Sequence, residues 1–170
     1  PAQPYNLAAL AAEAVRELVP LALAKQQDLG YEGPQPKDSA APHLTGEPVL
    51  VRELIRNLVD NAVHYTPAGG TITVRVVADP FGQVAVLQVD DNGPGIAEDE
   101  REKVFQPFYR VLGEAGSAVD GSGLGLAIVR EIAERHGATV SIEAVDGRPA
   151  SAGKQGTRIT VRLPVGATGV

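Results

Sequence analysis

Residues 71–78 and 83–90, "TITVRVVA" and "QVAVLQVD", each alternate apolar with polar side chains and are separated only by Asp79 to Gly82. Period-two alternation gives each run one apolar face, and a short turn containing Asp, Pro and Gly joins them as an antiparallel hairpin. A hairpin with one apolar face is not stable alone and needs a second layer to cover it. The chain supplies helices for that layer. Glu47 to Tyr65 and Leu124 to His136 carry apolar residues at helical spacing. Pro67 to Gly70 ends the first, and Gly137 occupies the position just past the second. Residues 138–145, "ATVSIEAV", and 156–164, "GTRITVRLP", read as a further strand pair. Helices interleaved with a mostly hairpin-linked sheet predict an α/β fold, a two-layer sandwich.

Upstream, Asn6 is a good N-cap for "LAALAAEAVRELVPLALAKQQ", and Pro20 is expected to kink that helix or divide it. Residues 28–48 hold four prolines and read as turns with room for one or two short strands. Residues 97–122 are mostly charged or small, around the amphipathic patch "EKVFQPFY". The whole is expected to form one domain over residues 1–165, with 166–170 as a frayed tail. A net charge of −6 argues against a nucleic-acid footprint, which needs a basic face. Zero cysteines remove disulfides, thiolate nucleophiles and cysteine metal sites from consideration. No apolar run approaches a membrane span and no signal-peptide pattern opens the chain. The absence of Met points to a piece of a longer protein.

Three clusters carry chemistry. On the helix at 47–65, Val51, Leu54, Ile55, Leu58, Val59 and Ala62 share one side, and Glu53, Arg56, Asn57, Asp60, Asn61 and His64 the other. That polar side is either a solvated face or a functional one. Asparagine is a poor helix former, so Asn57 and Asn61 at i and i+4 favour a role. Their column of oxygens, with Glu53 one turn earlier, suits a hard cation such as Mg²⁺ completed by phosphates and water. The second cluster is "VDDNGPGI", residues 89–96. A carboxylate at a strand end can accept a hydrogen bond from an exocyclic amine such as that of adenine. Gly93 and Gly95 leave backbone against which a flat ring can lie, although alone the stretch reads more simply as a tight Asp-Asn turn. The third is "GSGLGLAIVREI", residues 121–132, where glycines lead into a helix N-terminus, a ready anion site. It matches neither a Walker A loop nor a dinucleotide fingerprint, and its plainer reading is a helix start beside a hinge.

In this order the motifs resemble the catalytic and ATP-binding domain of bacterial sensor histidine kinases, in the GHKL superfamily. "ELIRNLVDNAVHYTP" (53–67) is similar to that family's N box and "DDNGPGI" (90–96) to its G1 box. "VFQPFYR" (104–110) resembles the F box, and "GSGLGLAIVREIAERHGA" (121–138) the G2 box. The resemblance implies a Bergerat-type fold, with a mixed, mainly antiparallel sheet of about five strands on three helices. It implies ATP and Mg²⁺ as ligands, with Asn57 on the metal, Asn61 on the phosphates, Tyr65 packed along adenine and Asp91 accepting from its amine. Gly93, Gly95, Ile96 and Thr157 are expected around the base. Gly121, Gly123, Leu124, Gly125 and Leu126 correspond to an ATP lid, about 97–122, and the helix it enters. Arg110 resembles a lid arginine, and Phe105 and Phe108 anchors of the lid or of a partner. Glu53 stands where related ATPases keep a general base. His64 replaces the Lys or Arg of many relatives and is the weaker phosphate contact.

The family's acceptor histidine has no counterpart here. His43 lies in a Pro-rich loop, and His136 reads as a cap complementing a helix dipole. The resemblance therefore implies transfer of the γ-phosphate to a histidine on a separate dimerisation and phosphoacceptor domain. A response regulator is then the indirect partner, a monomer is expected for the isolated domain, and a homodimer for the parent kinase. The expected location is cytoplasmic, as the inner part of a membrane-anchored sensor. A GHKL serine kinase of the anti-sigma type is the rival kinase, separable by the acid stability of the phosphoamino acid. An ATPase clamp is the rival outside kinases, and steady hydrolysis by the isolated domain would mark it.

Overall fold

The computed structural model describes residues 2–107, 109, 125–145 and 156–165. The elements run β1 (Gln3–Asn6), α1 (Leu7–Ala24), β2 (Asp28–Glu32), β3 (His43–Gly46), α2 (Pro48–Tyr65), β4 (Thr71–Ala78) and β5 (Val84–Asp91). Two short 3₁₀ turns follow at Glu98–Glu100 and Lys103–Phe105, then α3 (Gly125–Arg135), β6 (Thr139–Glu143) and β7 (Thr157–Pro164). A five-stranded sheet has the order β2-β4-β5-β7-β6, and β1 pairs with β3 in a separate two-stranded ribbon. Only the β2–β4 pairing in the larger sheet is parallel, and its crossover holds β3 and α2. This is the two-layer sandwich that the alternation predicted, with the mixed, mainly antiparallel sheet that the family resemblance implied.

The helices lie on one face of the sheet, α1 over β2 and β4, α2 over β4 and β5, α3 over β6. The apolar stripe of α2 explains its central place. Val51, Leu54, Ile55, Leu58 and Val59 are almost wholly buried, each contributing about 1.5–3 kcal/mol relative to exposure. Strand β5 obeys the same economy of faces. Ala85, Leu87 and Val89 point into the core, and Asp91 is the fourth residue of that inward row. Asp90 stands on the opposite, outer face with Gln88 and Val86.

Asn6 caps α1 as expected, its side chain accepting from the Ala9 N–H at 3.1 Å. Pro20 does not divide the helix, which continues to Ala24. Arg16 and Pro20 are both exposed, so the carbonyl that loses its intrahelical donor sits on the water side. The ribbon strand β1 was not anticipated; it is too short for its pattern to stand out. Among the described residues no helix is long and apolar enough to cross a membrane.

His136 joins the two site helices. Its Nδ1–H donates to the Ile132 carbonyl at 2.9 Å, while Nε2 accepts the backbone N–H of Glu47 at 3.0 Å. His136 thus caps the last turn of α3 as expected and in addition ties it to the start of α2. Arg135 completes the joint by pairing with the Glu47 carboxylate, and that bond holds the Glu47 carboxyl below its usual range.

Candidate functional site

Asn61, Tyr65, Asp91, Pro94, Gly95, Ile96 and Thr157 line one narrow crevice at the end of β5. Helix α2 contributes Asn61 and Tyr65 from its last two turns, β5 contributes Asp91, and β7 brings Thr157 directly opposite Asp91 in register.

Asp91 is 8% exposed, and its Oδ1 accepts the Gly93 N–H at 2.9 Å. Burial pushes its carboxyl up to about 6, against hydrogen bonds from the backbone of Gly93 and Thr157 that pull it down; the neighbouring Asp90 charge pushes it further up. A carboxylate has about four acceptor sites, so two backbone donors leave capacity for a ligand's N–H.

The glycines of the corner have separate reasons. Gly95 has φ of 85°, a left-handed conformation that side chains resist. Gly93 is bare for a different reason from the flat-ring one expected: a Cβ there would lie 3.1 Å from both the Asp91 Oδ1 and the Tyr65 carbonyl oxygen. Gly156 was missed by the sequence reading. Its φ is 67°, its N–H donates to the Gly93 carbonyl at 3.1 Å, and a Cβ would fall 2.3 Å from the Asp91 carbonyl oxygen. The only local signal was a Gly immediately before a strand. Asn92, the asparagine of the Asp-Asn turn, ties the corner to β4, its Oδ1 accepting the Thr71 N–H at 2.8 Å.

One turn back along α2, Asn57 donates its Nδ2 to the Glu53 carbonyl at 2.8 Å. That bond leaves Oδ1 as the free end of the amide. A Cβ built on Gly125, the first residue of α3, would stand 3.4 Å from this oxygen. Asn57 thus faces the start of α3, whose seat is the buried Leu126. Glu53 is exposed and lines a wider groove with Arg52, Arg56 and Asp60, beside Asn57 but away from the base crevice. His64 turns onto its own helix, with Nδ1 2.8 Å from the Asp60 carbonyl and 3.6 Å from its carboxylate. Arg110, Phe108, Gly121, Gly123, Leu124 and most of the expected lid lie outside the described residues. Among the described residues no group of three or more His, Asp or Glu could hold a metal by itself.

An α/β sandwich with a narrow crevice beside a buried Asp, and with an Asn facing a glycine helix start, defines a class of small-ligand-binding domain. Residues 46–167 match the family model described as histidine kinase-, DNA gyrase B-, and HSP90-like ATPase, and the chain belongs to that family. It is 36% identical over 162 residues to the sensor protein kinase PmrB of Pseudomonas aeruginosa, covering 95% of this chain and 30% of that protein. It is 31% identical over 156 residues to the sensor histidine kinase RppB of Synechocystis sp., covering 92% and 32%. The chain spans about a third of the length of these curated relatives. Among solved structures, a mycobacterial sensor histidine kinase, MprB, matches with a TM-score of 0.77 at 27% identity, over 96% of this chain and 97% of that one. The ATP binding domain of PrrB from Mycobacterium tuberculosis matches with a TM-score of 0.69 at 25% identity, over 96% and 97%.

Proposed function

We propose that this chain binds Mg·ATP and presents the γ-phosphate to a histidine on a separate dimerisation and phosphoacceptor domain, as the kinase core of a two-component system. One observation carries the reading: the crevice gathers Asp91, Tyr65, Asn61, Gly95, Ile96 and Thr157 around a desolvated carboxylate with acceptor capacity to spare. Asp91 accepts from the adenine amine, and the Tyr65 ring packs along the base. Asn61 and the first turn of α3 meet the phosphates, where free N–H groups favour anions. The Asn57 oxygen, freed by the bond from its amide to Glu53, is the protein ligand for Mg²⁺. When bound, the metal neutralises phosphate charge. Transfer then rests on positioning, with the γ-phosphate held in line with an incoming imidazole nitrogen.

Residues 1–165 act as one catalytic unit, with Arg110 assigned to the phosphates on its match to the F box. Glu53 lies on the groove side of Asn57 and has no water to activate when the acceptor is a histidine. A response regulator receives the phosphate downstream, and the parent is a homodimeric, membrane-anchored sensor with this domain on the cytoplasmic side.

Radiolabelled ATP tests the reading directly. The chain alone is expected to hold no stable label, and an added dimerisation domain carrying the acceptor histidine is expected to gain acid-labile phosphate. Acid-stable label on a serine, or steady hydrolysis without transfer, would favour the rival members of the superfamily. ATP is also expected to bind about 5- to 100-fold tighter than GTP, because guanine sets an oxygen against Asp91.

A further inference from the structure

The guanidinium of Arg130, on α3, sits 4.7 Å from the centre of the Phe105 ring and pairs with the Glu102 carboxylate. Phe105 and Val104 are buried, so the second 3₁₀ turn is fastened to α3. The same segment is fastened at its other end. Arg101 Nε donates to the Ile96 carbonyl at 3.0 Å, and the Tyr109 hydroxyl donates to the Glu100 carboxylate at 2.6 Å. Ile96 is a wall of the base crevice, whereas the first residue of α3, Gly125, faces Asn57. Through Arg130, a short braced segment therefore connects the two ends of the cleft.

We propose that Arg130 is a positioning residue that sets the span between the base crevice and the start of α3, and so governs how well base and phosphates are held at once. The inference rests on the nucleotide reading above. Its size follows from exposure. The Glu102 side chain is 76% exposed, so the ion pair alone contributes little, and the cation over a buried ring contributes more.

The span matters only to a ligand that touches both ends. Titrations followed by NMR shifts, with Mg·ATP and with adenosine, would compare the wild-type chain with Arg130→Ala, Arg130→Lys and Glu102→Gln. Arg130→Ala is expected to weaken Mg·ATP roughly five- to tenfold and adenosine less than about twofold. Lysine keeps a cation at the ring and should restore most of the ATP affinity, while Glu102→Gln should cost only a minor part. Equal losses for the two ligands would mark a structural role and overturn the proposal, as would no loss for either. If the wild type binds ATP and Asp91→Asn does not, an unchanged ATP-to-adenosine ratio in Arg130→Ala defeats the positioning role alone. If the wild type binds neither ligand, the nucleotide reading falls and takes the proposal with it.

Discussion

Asp90 and Asp91 are neighbours in sequence and nearly equal in burial, yet the sheet sends them to opposite worlds. On the outer face Asp90 receives a two-pronged bond from Arg158 at 2.9 and 2.8 Å and a third from Arg75 at 3.0 Å; Arg75 in turn pairs with Glu32. Burial alone would raise its carboxyl, but the two arginines outweigh that and hold it below the ordinary value. On the inner face Asp91 accepts from the backbone N–H groups of Gly93 and Thr157, and burial wins. A satisfied acid fastens four strands together. An under-satisfied one keeps an appetite for a ligand at the expense of the empty fold.

Breaking the first acid should have the larger effect on stability. Asp90→Ala leaves two partly buried arginines without their carboxylate and should cost about 3 kcal/mol in urea unfolding, with ATP affinity in the surviving folded protein within about threefold of wild type. A large loss of affinity at unchanged stability would show that the two acids are not separate in function.

Asp91→Asn should do the reverse. The folded carboxyl at about 6 lies above its ordinary 3.8, so the folded form holds the proton more tightly than the unfolded chain. Its favourable contribution is full below about 3.8 and is lost as pH rises through about 6. At pH 7.5 the ligand-free Asn variant should therefore be more stable than wild type by up to about 3 kcal/mol, with the gap closing towards pH 4. Its ATP affinity should fall about 10- to 100-fold. Asp90 titrates in the opposite sense, since its lowered carboxyl stabilises the fold above the ordinary carboxylate range and ceases to do so in strong acid. Parallel pH–stability curves for Asp90→Asn and Asp91→Asn would refute the contrast.

The smallest effect is expected at His64. Its ring is held by the Asp60 carbonyl of its own helix, so His64→Gln should change ATP affinity by about twofold or less at pH 7.5. A larger drop in calorimetric titration would restore it as a phosphate contact.

Much of this was legible along the chain because it is periodic. The inward row of β5 ends on Asp91 by parity alone, although the strand runs 84–91 and not the expected 83–90. The Asn57 and Asn61 column followed from helical spacing in the same way. Long-range partnership was not legible. Nothing local announces that β7 inserts between β5 and β6, and that insertion alone brings Arg158 to Asp90 and Gly156 to Asp91. Pro20 misled because its cost depends on which side of the helix faces water, a property of the packed molecule.

The joint between His136 and Glu47 gives α3 a fulcrum. It grips the helix at the end remote from Gly125, and α3, at about 1.5 Å per residue, is a rod of roughly 16 Å. A tilt of about 4° at the grip swings the far tip through roughly 1 Å, and misplacement on that scale can cost about 10²-fold in rate. The leverage makes His136 a trimming screw for the start of α3. A slightly longer or shorter side chain there shifts Gly125 against Asn57 while both residues stay the same.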